Sequence, residues 1–107
     1  MNKERKLFGT DGVRGIAVTE LTCELALQIG KALTVMLRER GIARPQVIVG
    51  KDTRLSSDVL EAAFCAGVCA CGGDAVCIGV LPTPAVAYTV IRRQADAGAM
   101  ISASHNS

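Results

Sequence analysis

Gln46-Val47-Ile48-Val49-Gly50 runs directly into Lys51-Asp52-Thr53-Arg54, and this junction decides how the rest of the chain is read. The first five residues follow Pro45 and form a short apolar run of strand length. The next four are charged or polar, as a strand-to-helix turn requires. A helix is expected to start at Ser56 or Ser57, with Asp58 in its first turn. Val59, Leu60, Ala63, Phe64 and Val68 would form its buried face, and Gly72-Gly73 its stop. Strand, polar turn and amphipathic helix together are the repeating unit of an α/β domain.

The same unit recurs on both sides. Residues 75–80 are nearly all apolar, which predicts a strand covered on both faces. Pro82 ends it, and Thr83-Pro84 reads as N-cap and first helical position. Val86, Ala87, Val90 and Ile91 give that helix a core face, with Arg92-Arg93 complementing its carboxyl end. A last apolar run, 99–101, leads into Ser102. Upstream, Thr22 is an N-cap and Glu24 a first-turn acid. Leu25, Ile29, Leu33, Met36 and Leu37 recur at helical spacing until Arg38, Arg40 and Gly41 close the helix. Leu7-Phe8 and residues 13–18 read as short strands flanking an Asp11-Gly12 turn. The prediction is one α/β domain over 1–107. It has three α/β/α layers, a mainly parallel or mixed sheet of about four strands, and right-handed crossovers.

Composition agrees with a folded domain and narrows its function. The 107 residues are 50% hydrophobic but contain one Tyr, two Phe and no Trp, so the core must be aliphatic and rich in alanine. A net charge of +2, with Lys and Arg scattered, argues against nucleic acid or an anionic membrane as partner. No run reaches the ~18 apolar residues of a membrane span. The charged start leads into Leu7-Phe8-Gly9 and not into an apolar signal region, so the expected location is cytoplasmic. Cys23, Cys65, Cys69, Cys71 and Cys77 lack the paired spacing of zinc modules. They are expected as small buried apolar side chains in a reducing compartment.

Three segments carry candidate chemistry. Gly9-Thr10-Asp11-Gly12-Val13-Arg14-Gly15 places glycines, whose N–H groups approach an anion closely, beside a permanent positive charge. A plain tight turn accounts for the same residues. Lys51 to Arg54 stand at a strand's carboxyl end, where ligands of open α/β sheets gather. Asp52 and Arg54 could equally pair with each other or cap the next helix. Ser102-Ala103-Ser104-His105-Asn106 follows a strand and holds the chain's one histidine. Ordinary loop polarity explains a Ser-His pair as well, and by chemistry alone Ser102 and Ser104 are rivals.

In this order, with Pro82-Thr83-Pro84 between the last two, the segments resemble the amino-terminal domain of the α-D-phosphohexomutases. Among these the likeness is greatest to the bacterial members that act on glucosamine phosphates. The resemblance implies an isomerase that moves a phosphoryl group between two hydroxyls of one sugar through a phosphoserine. It implies Ser104 as that carrier and His105 as an active-site residue that positions the site and takes part in proton transfer. It places Arg14 near the phosphoryl group, with Lys51, Arg54 and Ser102 as lesser substrate- or phosphate-binding residues.

The resemblance also implies a Mg2+ ion, touching this chain only through a phosphorylated Ser104. Its carboxylate ligands would come from a second domain, because no Asp-x-Asp-x-Asp cluster occurs here. Later domains would choose the sugar, so the chain is expected to be inactive alone. Ser107 stands where the family usually has proline, which leaves Asn106 less restricted. Two other readings stay open within the likeness: a member acting on mannose or glucose phosphates, and a non-catalytic phosphosugar-binding or interaction module. A thiol redox or metal module at Cys69 and Cys71 is a third class.

Overall fold

The computed structural model describes residues 7–10, 13–16, 22–53 and 55–101. Strands β1 (Leu7–Thr10) and β2 (Val13–Ile16) form an antiparallel pair with Gly9 opposite Arg14. Helix α1 (Cys23–Glu39) follows, then β3 (Gln46–Lys51), α2 (Leu55–Ala70), β4 (Asp74–Val80), α3 (Thr83–Arg93) and β5 (Ala97–Ile101). The last three strands make a parallel sheet in the order β4-β3-β5, and β2 runs beside β5.

The strand order explains the layers. From β3 the chain steps outward to β4, then crosses back over β3 to reach β5. Right-handed crossovers in opposite directions put their helices on opposite faces, so α2 covers one face and α3 the other. On the α2 face, Val47, Val49, Ala97, Ala99 and Ile101 pack with Leu33 and Leu37 of α1 and Leu60, Phe64 and Val68 of α2. On the other, Ile48 meets Val86 and Val90 of α3, with Val76, Ile78 and Met100 around them. Alternate residues of one strand therefore serve different layers, the two-residue period of an extended chain.

Three glycines set how closely neighbouring elements approach. Gly30 of α1 faces the backbone of Phe64, and Gly67 of α2 faces the Leu27 carbonyl, each too near for a Cβ without movement. The two helices thus meet backbone to backbone at reciprocal glycines. A Cβ on Gly50 would come within 2.6 Å of Val86 Cγ2, so the bare backbone at the end of β3 admits α3. Opposite it the register slips: Val49 pairs with Cys77 and Gly50 with Gly79. Ile78 is the extra residue of this bulge, and Gly79 takes φ +88 beside it.

Several expectations need correction. β4 is an edge strand with Cys77 and Val80 exposed, not a strand covered on both faces. Its apolar composition serves two layers only in part, because nothing among the described residues pairs with its outer edge. The cysteines are not buried apolar filler: Cys23, Cys69 and Cys77 are exposed, and Cys65 and Cys71 are half-buried. Helix α2 begins at Leu55, so Ser57 lies in its first turn, fully buried. Pro82, not Thr83, is the N-cap of α3; its ring-fixed φ of −72° suits the extended cap position. Thr22 caps α1 as read, its Oγ1 accepting from the Leu25 N–H at 3.0 Å.

Candidate active site at the carboxyl edge of the sheet

The carboxyl ends of the three parallel strands converge on Lys51. In register it stands between Val80 of β4 and Ile101 of β5. Its carbonyl accepts from the Leu81 N–H at 3.3 Å, and the next N–H, that of Asp52, donates to the Ile101 carbonyl at 3.1 Å. The residue after Ile101 is Ser102. Ile101, the last described residue before the serine- and histidine-bearing segment, is therefore hydrogen-bonded to the Lys51-Asp52 turn.

The turn is itself anchored to α2. Lys51 Nζ lies 2.7 Å from Asp58 Oδ1 and 3.3 Å from Glu61 Oε1. Its side chain is 20% exposed and that of Glu61 is 14% exposed, whereas Asp58 is open to solvent. The hydrogen bond to Asp58 and then that to Glu61 hold the lysine pKa above its ordinary value. Asp52 Oδ1 accepts a hydrogen bond from the Ser57 hydroxyl. These contacts clamp the first two turns of α2 over the end of β3. Sequence reading named Lys51 but missed its partners Asp58 and Glu61. Their spacing of three, which puts two side chains on one helix face directly after a lysine-ended strand, was the available signal.

The candidate residues fare differently. Lys51 is placed, with its ammonium occupied by two carboxylates. Arg14 is on β2, the strand beside β5, with only its backbone described. Arg54, Ser102, Ser104 and His105 lie outside the described residues, and so does the expected Asp11-Gly12 turn. The expected pairing of Asp52 with Arg54 thus also lies outside the described residues, and the Asp52 contact described is the Ser57 bond.

The fit of a divalent cation can be tested on the donors present. Among the described residues no group of three His, Cys, Asp or Glu side chains could hold a metal ion. The carboxylates around the end of β3 are each engaged: Asp58 and Glu61 surround an ammonium, and Asp52 accepts from the Ser57 hydroxyl. The described residues do not form a seat for Mg2+. Among them, too, no helix is long and apolar enough to cross a membrane.

A three-layer α/β/α domain whose parallel strands deliver polar segments at one edge is the class this geometry defines. The family model for the phosphoglucomutase/phosphomannomutase alpha/beta/alpha domain I matches residues 5–107, and the chain belongs to that family. A relative from Syntrophomonas wolfei named phosphoglucosamine mutase is 58% identical over 102 residues, covering 94% of this chain and 23% of its own. Proteins of the same name from Clostridium perfringens and Clostridium novyi are 59% and 55% identical over 101 residues. Those matches cover 94% of this chain and 22% of each relative. The chain thus spans less than a quarter of the length of the curated relatives it matches.

Proposed function

We propose that this chain supplies the phosphoryl-carrying part of a phosphoglucosamine mutase, which interconverts glucosamine 6-phosphate and glucosamine 1-phosphate in the cytoplasm. The observation that supports the reading is the Asp52 to Ile101 hydrogen bond, which ties the last described residue before Ser102 to the turn after β3. The names of relatives at 55–59% identity support the choice of sugar.

In this proposal Ser104 carries the phosphoryl group. It passes from Ser104 Oγ to the free hydroxyl of the sugar monophosphate, giving a bisphosphate and a free serine. The other phosphoryl group then returns to Ser104 and the isomeric monophosphate leaves, so no net phosphate is consumed. His105, next in sequence, positions the serine and moves the hydroxyl proton. Positioning and charge neutralisation do most of the work in such transfers.

The described edge is acidic on balance, because Asp52, Asp58 and Glu61 outnumber Lys51. The positive charge that meets a phosphate therefore falls to Arg14 and Arg54. Lys51, held by α2, supports the phosphate site from beneath, and Ser102 is a lesser phosphate-binding residue. A phosphomannomutase or phosphoglucomutase is the alternative favoured by the family model, whose description names those activities.

The test is a chimera in which this chain replaces the matching first segment of the Syntrophomonas wolfei relative. Turnover of glucosamine 6-phosphate and a phosphoserine at Ser104 by mass spectrometry are expected. Ser104→Ala should lower turnover by at least about a thousandfold, since the carrier is lost. A Ser104→Ala chimera that keeps full activity would refute the assignment.

A further inference from the structure

Cys65 of α2 and Cys77 of β4 bring their sulfur atoms to 3.4 Å, the one thiol–thiol contact among the described residues. Cys65 packs against the edge of the main core, and the proposed phosphoryl chemistry uses neither sulfur. Cys77 projects from an exposed edge strand, so a small oxidant can reach it, while Cys65 sits half-buried behind it. The elements that hold the two sulfurs are fixed independently of them. Val68, one turn beyond Cys65, is fully buried in the main core, and Val49 pairs with Cys77 across the sheet. A disulfide needs sulfurs about 2.05 Å apart, so bond formation must draw the two together from contact distance.

We propose that Cys65 and Cys77 form a reversible disulfide when the protein meets a hydroperoxide. The exposed Cys77 sulfur attacks the peroxide as its proton passes to the departing oxygen, the O–O bond breaks, and Cys77 becomes a sulfenic acid with release of water. The Cys65 sulfur, protonated at rest, then attacks the adjoining Cys77 sulfur as its own proton passes to the departing hydroxyl, the S–O bond breaks, and a second water leaves. Contact at 3.4 Å, not a ready thiolate, favours this sulfur over Cys69. Two thiols and one hydrogen peroxide give one disulfide and two waters, with both sulfurs oxidised and the peroxide reduced. The neighbouring sulfur makes the second step effectively intramolecular. Thiols further along α2 lack such a neighbour: Cys69 is exposed but has no sulfur in contact among the described residues. The link would tie the middle of α2 to β4 one turn from Glu61, and so stiffen the clamp on Lys51.

The experiment treats the reduced chain with hydrogen peroxide, blocks free thiols and cleaves before aspartate. Cleavage at Asp74 separates Cys77 from Cys65, Cys69 and Cys71, which stay together on the peptide starting at Asp58. The expected product joins the two peptides, is lighter by two hydrogens, and fragments to a Cys65–Cys77 link. It should exceed any other pairing by at least about tenfold and disappear on reduction. Cys69→Ser should keep it, and both Cys65→Ser and Cys77→Ser should abolish it. Because Cys77 is exposed, its variant keeps the control usable if Cys65→Ser folds poorly. A dominant link from Cys77 to Cys69 or Cys71, links only between molecules, or over-oxidation of Cys77 without a link would each overturn the proposal.

Discussion

The N–H of Asp52 donates to the carbonyl of Ile101 at 3.1 Å, joining the turn after β3 to the last residue of β5. Two segments remote in sequence thereby share one anchor, and each is steadied by the other. The Asp52 side chain extends the anchor into α2, where it accepts from the buried Ser57 hydroxyl.

Ser57→Ala removes that donor and leaves a carboxylate with one hydrogen bond fewer. Bonds to charged groups contribute about 1.5–3 kcal/mol, so a stability loss in that range is expected from urea denaturation. In the chimera, the same variant should lower turnover with little change in the stability of the other domains. An unchanged midpoint would mean that the Ser57 to Asp52 bond contributes nothing to the turn.

Lys51→Met should lower the melting temperature, because Glu61 is left 14% exposed without its cation. Its Oε2 already lacks a hydrogen-bond partner among the described residues. The pH dependence follows from the raised lysine pKa, caused by Asp58 first and Glu61 second. A pKa raised on folding contributes stability that is fully present below the ordinary lysine value of 10.5 and is lost as pH rises through the folded value. The melting gap between wild type and Lys51→Met should therefore hold from pH 7 to 9 and shrink above 10.5. A gap that stays constant to higher pH would show that the ion pair is not its source.

Gly67→Ala tests the reciprocal glycine contact between α1 and α2. In an exposed helix this change stabilises, because alanine has the better helix propensity. Here the new methyl meets the Leu27 carbonyl and a position 2.9 Å from Lys31 N, both backbone. Backbone cannot rotate away as a side chain can, so overpacking wins. A loss of about 1–3 kcal/mol is expected by chemical denaturation, and Gly30→Ala should behave alike. A stabilised Gly67→Ala would show that the helices are further apart than described.

Much of this architecture was legible because local chemistry and global fold agree. Thr22, the helical spacing of Leu33 and Leu37, and the apolar run Val47-Ile48-Val49 each point to the element observed. What escaped depends on neighbours that no local pattern reveals. The run from Ala75 to Val80 reads as a strand covered on both faces, yet among the described residues it is an edge strand with Cys77 and Val80 exposed. Gly30 and Gly67 carry no local sign of a packing role, yet they let α1 and α2 meet backbone to backbone. Gln94 ends α3 at φ 57 without the glycine or asparagine that would mark such a cap. At the candidate site, Lys51 was visible from its place after a strand, while Asp58 and Glu61 became its partners only once α2 was laid across the sheet.

Thiol reactivity offers a last test of how α2 lies on β4. Burial first, and contact with Cys77 next, push the Cys65 thiol up to about 12. Only the thiolate is alkylated, and at pH 8 a thiol with such a pKa is ionised at roughly one part in ten thousand. Cys65 should therefore react with iodoacetamide far more slowly than the exposed Cys69 one turn along the same helix. Below about pH 12 its rate should climb roughly tenfold per pH unit. The charged groups around it are Glu61 on its own helix, which raises the value, and Cys69 and Cys77. The sign for stability is the same as for Lys51: the raised value favours the folded state below the ordinary thiol value of 9.0 and is lost as pH approaches 12. In urea, where α2 no longer shields it, Cys65 should label as fast as Cys69. Equal rates in the folded protein would show that α2 does not cover this sulfur.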